Sequence, residues 1–261
     1  MQKKEHEGNI SINKALQRYF LKWGTIHQFR TVLNIALPKG KNEYIGYIKN
    51  AFELLKPGRE YAHWIKVSDN FFESKEYQLS IEYAINQGLN DTENIIDSVS
   101  LVFSHSVLDA LLYDFLSIAC FMNPELFCLT LGPKKKIEIK ELSNNKMSEI
   151  YDRISNQIIQ KVERESLVEK TDYLYMICSP PDDWRSMRNF KFDRDLLVKF
   201  DDIRHKIVHG PMMAITHANI EEKLFEIQKI GMHFFGMMNY KFGLQIINIS
   251  FNNIEPKDII F

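Results

Sequence analysis

Arg204 and His209 stand five positions apart in the run Arg204-His205-Lys206-Ile207-Val208-His209-Gly210, and they are the pair best suited to chemistry on a phosphate. Arginine keeps its charge at any physiological pH and offers a planar fork of N–H donors that matches phosphate oxygens. Histidine can take up and release a proton near neutrality. A site that cleaves a phosphodiester without a metal needs both: one group to hold charge on the phosphoryl oxygens, another to move protons. His205 adds a second imidazole four residues before His209. That i, i+4 spacing also suits a metal ion, but no Glu follows in an HExxH arrangement and no third ligand is evident. Plainer roles compete. Arg204 can pair with Asp201 or neutralise Asp109, and His209 can cap the last carbonyls of a helix, where the dipole favours positive charge.

The elements that must hold these groups are helical. From Asp193 onward, Leu196, Leu197, Phe200, Ile203, Ile207 and Val208 recur at helical spacing, and Gly210-Pro211 stops the pattern. A closing helix is expected from about Asn219, which with Glu222 fits a capping box. Its stripe is Ile220, Leu224, Ile227, Phe234 and Met238. Upstream, Asp91-Thr92 reads as the N-cap of a long helix over 91–122, with Pro124 just beyond. Its apolar residues surround the axis, the signature of a central helix, so His105 and Asp109 within it need partners. A further helical segment spans 147–164. Residues 11–56 read as short helices separated by Pro38-Lys39-Gly40 and Pro57-Gly58, with Phe20, Trp23, Phe29 and Tyr44 as a separate aromatic core. Residues 64–83 read as mixed with extended character, and 244–251 alternate as a short strand would.

An arginine, a polar residue, mostly apolar positions and then a histidine is a pattern that resembles the HEPN family. Arg204, His205 and His209 fill its places. The phrase Phe103-Ser104-His105-Ser106-Val107-Leu108-Asp109-Ala110 looks like that family's first helix, with Asp109 matching an acidic residue that faces the motif. The resemblance implies a mostly-α fold: an antiparallel helical bundle over 91–240 with a long helical insertion at about 123–192. An N-terminal extension over 1–90 and a tail over 241–261 with minor β would flank it. It further implies a metal-independent endoribonuclease with no cofactor, in which the RNA 2′-hydroxyl attacks the adjacent phosphorus and leaves a 2′,3′-cyclic phosphate. Arg204 would stabilise the phosphorane, His209 would act as base or acid, His205 would position the phosphate or assist proton transfer, and Asp109 would orient the site. Implied partners are RNA and a second copy, paired in a two-fold dimer that joins two motifs in one composite site. An antitoxin or a nucleotidyltransferase is a further implied partner, in a bacterial defence or toxin–antitoxin setting. The competing expectation is a non-catalytic interaction or assembly module. Degenerate family members usually lose one motif residue, whereas this chain retains Arg204, His205 and His209.

Composition bounds these readings. The chain has 261 residues, 45% of them hydrophobic, with only 11 glycines and 8 prolines, so it can build a large helical core. Its formal net charge of −1 excludes a strongly basic coat, and any RNA contact must come from a local patch. Three cysteines without CxxC spacing fit a reducing cytoplasm better than a disulfide framework. The polar start Met1-Gln2-Lys3-Lys4 lacks the apolar core of a signal peptide. Residues 95–122 are interrupted by Asp97, His105, Asp109 and Asp114, which argues against a membrane span.

Overall fold

The computed structural model describes residues 2–57, 59, 69–132, 146–184, 190–209 and 220–244. These form a bundle of helices: α1 (Gln2–Glu53), α2 (Lys75–Met122), α3 (Pro124–Leu131), α4 (Met147–Val162), α5 (Leu167–Cys178), α6 (Arg194–His209) and α7 (Ile220–Phe242). A 3₁₀ turn, Asp69–Glu73, leads into α2. No strand occurs among the described residues; the one expected at 244–251 lies outside them apart from Leu244, which is buried.

Helix boundaries follow capping chemistry. Ser74 accepts from the Tyr77 amide at 3.2 Å and starts α2. Asn123 ends it, donating its own N–H to Ala119, and its side chain then accepts from the Leu126 amide at 3.0 Å to start α3 with Pro124 in the first turn. Ser166 and Glu169 close a reciprocal capping box on α5, and Ser179, at φ 45°, ends it in the left-handed region before Pro180-Pro181. The expected start of α2 at Asp91-Thr92 is therefore wrong. Thr92 donates its hydroxyl back to the Gly88 carbonyl and Asp91 accepts from Gln87, so both side chains are satisfied inside a continuing helix. Residues 75–83, expected as mixed, are helical, and 60–68 lie outside the described residues. Likewise α1 runs unbroken through Pro38, although proline removes one backbone donor and frees a carbonyl one turn earlier.

α2 is the axis of the molecule, and every other helix packs against it. It is long and apolar enough in composition to cross a bilayer, yet half of its most apolar window is buried inside the protein. The core joins Leu16, Tyr19 and Trp23 of α1 to Leu112 and Phe115 of α2 and to Ile227, Phe234 and Met238 of α7. Trp23 and Phe20 thus join the main core instead of a separate one with Phe29, which is exposed. Gly231 lets α1 approach α7, since a Cβ there would run into the Tyr19 hydroxyl, which donates to the Gln228 carbonyl at 3.0 Å. Arg30, nearly buried, ties the same elements together by reaching Asp97 at 2.7 Å and Glu221 at 2.8 Å. Burial opposes its charge, but the hydrogen bonds to these two carboxylates outweigh it and hold the guanidinium above its ordinary range.

The inserted region is also part of the body. Phe127, Ile158, Val162 and Leu174, from α3, α4 and α5, join the central cluster. Only the far halves of α1 and α2 leave it. There the two helices run antiparallel as an arm, held near its tip by Tyr77, Ile81 and Ile85 with Phe52, Phe71 and Phe72 around them.

Candidate functional site

α6 carries the motif, and its packing explains what the motif exposes. Asp193 accepts from the Asp195 amide at 3.0 Å to start the helix. Arg194 then forks onto Asp172 of α5, with bonds of 3.0 and 2.9 Å, and fixes where the helix begins. Leu197 and Phe200 are buried, while Leu196, Ile203 and Ile207 are half-buried against the core. Arg204, His205, Lys206 and His209 are all exposed at the C-terminal end of the helix.

Three of the four expected site residues stand at one end of α6, where His205 faces His209 while Arg204 lies about 140° around the helix from His209. Arg204, His205 and His209 share the last turn and a half of α6, and the two imidazole rings lie 4.7 Å apart between centroids at 51°. Lys206 adds a fourth basic group to the same helix end, which the sequence displayed but the motif pattern did not single out. Arg204 and Lys206 put two fixed positive charges on an open surface where the helix dipole favours cations. Such a surface can hold a phosphate through the Arg204 fork while an imidazole exchanges a proton. Among the described residues no set of three His, Cys, Asp or Glu side chains is arranged to hold a metal, so His205 and His209 gain no third ligand there.

Asp109 does not join them. Its carboxylate accepts from Lys170 of α5 at 2.7 Å, and Lys170, only 1% exposed, also donates to the Glu163 carbonyl at 3.2 Å. An ammonium buried that deeply requires a carboxylate, and Lys170 claims the one expected to orient Arg204. Arg204 itself has no ion-pair partner among the described residues. The α2 side chain shown hydrogen-bonded to the motif helix is instead His105, whose Nε2 lies 2.5 Å from Asp201 Oδ1. That contact also removes the expected pairing of Arg204 with Asp201. Asp201, on the inner side of α6, fixes the rotation of the helix about its axis and so aims the exposed residues outward.

A second polar centre escaped sequence reasoning. His233 of α7 is 1% exposed, hydrogen-bonded through Nε2 to the Tyr175 hydroxyl at 2.6 Å, and enclosed by Trp184, Phe190, Phe192 and Phe234. Burial drives its pKa down to about 4 and that of Tyr175 up to about 12. The cysteines are free and buried.

Comparison with known proteins finds no match of any kind: no family model covers the chain, and no curated protein or solved structure is significantly similar to it.

Proposed function

We propose that this protein is a metal-independent endoribonuclease of the HEPN type, acting in the cytoplasm. The observation that carries the reading is the joint exposure of Arg204, His205 and His209 on one end of α6. In this chemistry the RNA 2′-hydroxyl loses its proton to an imidazole and attacks the adjacent phosphorus. The bond to the 5′-oxygen then breaks and that oxygen regains a proton, leaving a 2′,3′-cyclic phosphate. Arg204 stabilises the extra negative charge on the pentacoordinate phosphorus, His209 carries the proton as base or acid, and His205 positions the phosphate. Asp109 is left out of the site and serves Lys170, while the His105–Asp201 pair orients the motif helix.

The motif surface is open in a single chain, which supports a two-fold dimer in which two α6 ends face one cleft. Light scattering at micromolar concentration should give the mass of two chains; a monomer across a range of salt would argue against a composite site. Arg204→Ala and His209→Ala should each abolish RNA cleavage while shifting thermal unfolding by no more than a few degrees, because both side chains are exposed. Cleavage that survives either change would mean the assigned roles are wrong.

A second reading has an observation of its own. The α1–α2 arm exposes Val32, Ile35, Tyr47, Leu79 and Tyr83, an apolar display that suits an assembly module in which the motif is retained without cleavage.

A further inference from the structure

Residues 8–42 of α1 contain no Asp or Glu but six cations, in a chain whose net charge is −1. Three of them, Lys14, Arg18 and Lys22, follow at i, i+4 and i+8 and so line one face of the helix, about 6 Å apart along its axis. Lys14 is exposed and the other two are half-buried. They stand over a groove of about 340 Å³ between α1 and α2, lined among others by Ser11, Lys14, Arg18, Asp114 and Phe121. Asp114 is the groove's one lining acid, and Arg18 pairs with it at 2.8 Å. Burial pushes the Asp114 carboxyl above its ordinary range while Arg18 and Lys22 hold it down, so Lys22 shares the same field. The lining carries two cations, Lys14 and Arg18, against one carboxylate, and Lys22 stands one turn beyond, so the groove is positive.

Phe121 is 39% exposed at one end, with Lys4 Nζ 5.8 Å from its ring centroid. Over residues 100–113, α2 presents only Ala110 and Ser106 as exposed residues. A row of cations at roughly the repeat of successive phosphates, beside an exposed aromatic ring on which a base can stack, is the arrangement that holds a single strand without reading its sequence. Asp114 lies nine residues beyond His105 on α2, about 180° around the helix. The groove therefore faces away from the side on which α6 packs.

We infer that the α1–α2 groove binds the sugar–phosphate backbone of single-stranded RNA, separately from the motif on α6. The inference takes its polymer from the ribonuclease reading, but binding is measurable without cleavage, so the two can fail independently. A short labelled 2′-O-methyl oligouridylate lacks the attacking hydroxyl and stays intact, and fluorescence anisotropy reports its binding to the full-length protein. The Lys14→Gln/Lys22→Gln variant should bind about tenfold more weakly at low salt. The slope of log affinity against log salt should fall by roughly 1.4, about 0.7 for each lost phosphate contact. A Lys39→Gln/Lys41→Gln control removes equal charge roughly 25 Å farther along α1 and should bind as the parent does. Coincident thermal melts establish that all three proteins are folded. Parental affinity in Lys14→Gln/Lys22→Gln, or an equal loss in the control, would overturn the inference. So would retained RNA binding with lost binding to phosphatidylserine vesicles, which would assign the groove to a membrane surface.

Discussion

At the scale of single residues, two buried polar groups decide more than the exposed motif does. Lys170 is held by Asp109 and by one backbone carbonyl. Asp109→Leu would leave that ammonium inside with only the Glu163 oxygen. Because the Asp109 end of the pair is 37% exposed, solvent compensates in part, and the expected loss is on the order of 2 kcal/mol. RNA cleavage below the melting temperature should persist. Unchanged unfolding would mean that Lys170 does not depend on Asp109, and lost cleavage in a folded protein would return Asp109 to the site. His233 gives the molecule a pH dependence of definite sign. In the unfolded chain its imidazole protonates near the ordinary value of about 6.5, but in the folded protein only near 4. Between those values the unfolded state binds a proton that the folded state refuses, so stability falls as pH drops through that window and levels off below it. The full effect is on the order of 3 kcal/mol. Urea midpoints for the parent should therefore decline from pH 7 to 4.5, and His233→Phe should decline less. Parallel curves would show that His233 titrates freely. Neither centre was legible in the sequence. A buried lysine looks like any surface lysine, and the Tyr175–His233 contact joins residues 58 positions apart.

Among the elements, the amphipathic helices were legible and the long ones were not. α4, α6 and α7 keep one apolar stripe each, so spacing located them within a few residues. α1 and α2 contain Pro38, Gly40, Gly88 and the Asn90-Asp91-Thr92 run, which ordinarily punctuate helices. Here the punctuation is overridden because each helix is the other's packing surface, and local side-chain bonds such as Thr92 to Gly88 absorb the polar groups. This places a specific demand on the arm. Its tip depends on the small cluster around Tyr77, whose hydroxyl also donates to the Phe52 carbonyl at 3.0 Å. Tyr77→Ala should speed amide exchange in the far halves of α1 and α2 while leaving protection in α5 and α7 unchanged. Equal loss everywhere would mean that the arm and body unfold as one unit. The motif helix was the easiest element to find, because its apolar face and its basic end are both written locally.

For the molecule as a whole, the charge distribution matters more than the net charge. A near-neutral chain gathers one basic cluster at the end of α6 and another along α1, and the ribonuclease reading assigns chemistry to the first. Arginine and histidine together can supply charge stabilisation and proton transfer, which two-metal nucleases obtain from cations about 3.5–4 Å apart. The direct measurement is cleavage of RNA by the purified protein in excess EDTA, with the ends of the products identified. The account predicts that cleavage persists, yields 2′,3′-cyclic phosphate ends, and leaves DNA intact because DNA lacks the attacking hydroxyl. Cleavage that stops on chelation and returns with magnesium or manganese would contradict the mechanism, and failure to cleave any RNA would leave the assembly-module reading in its place.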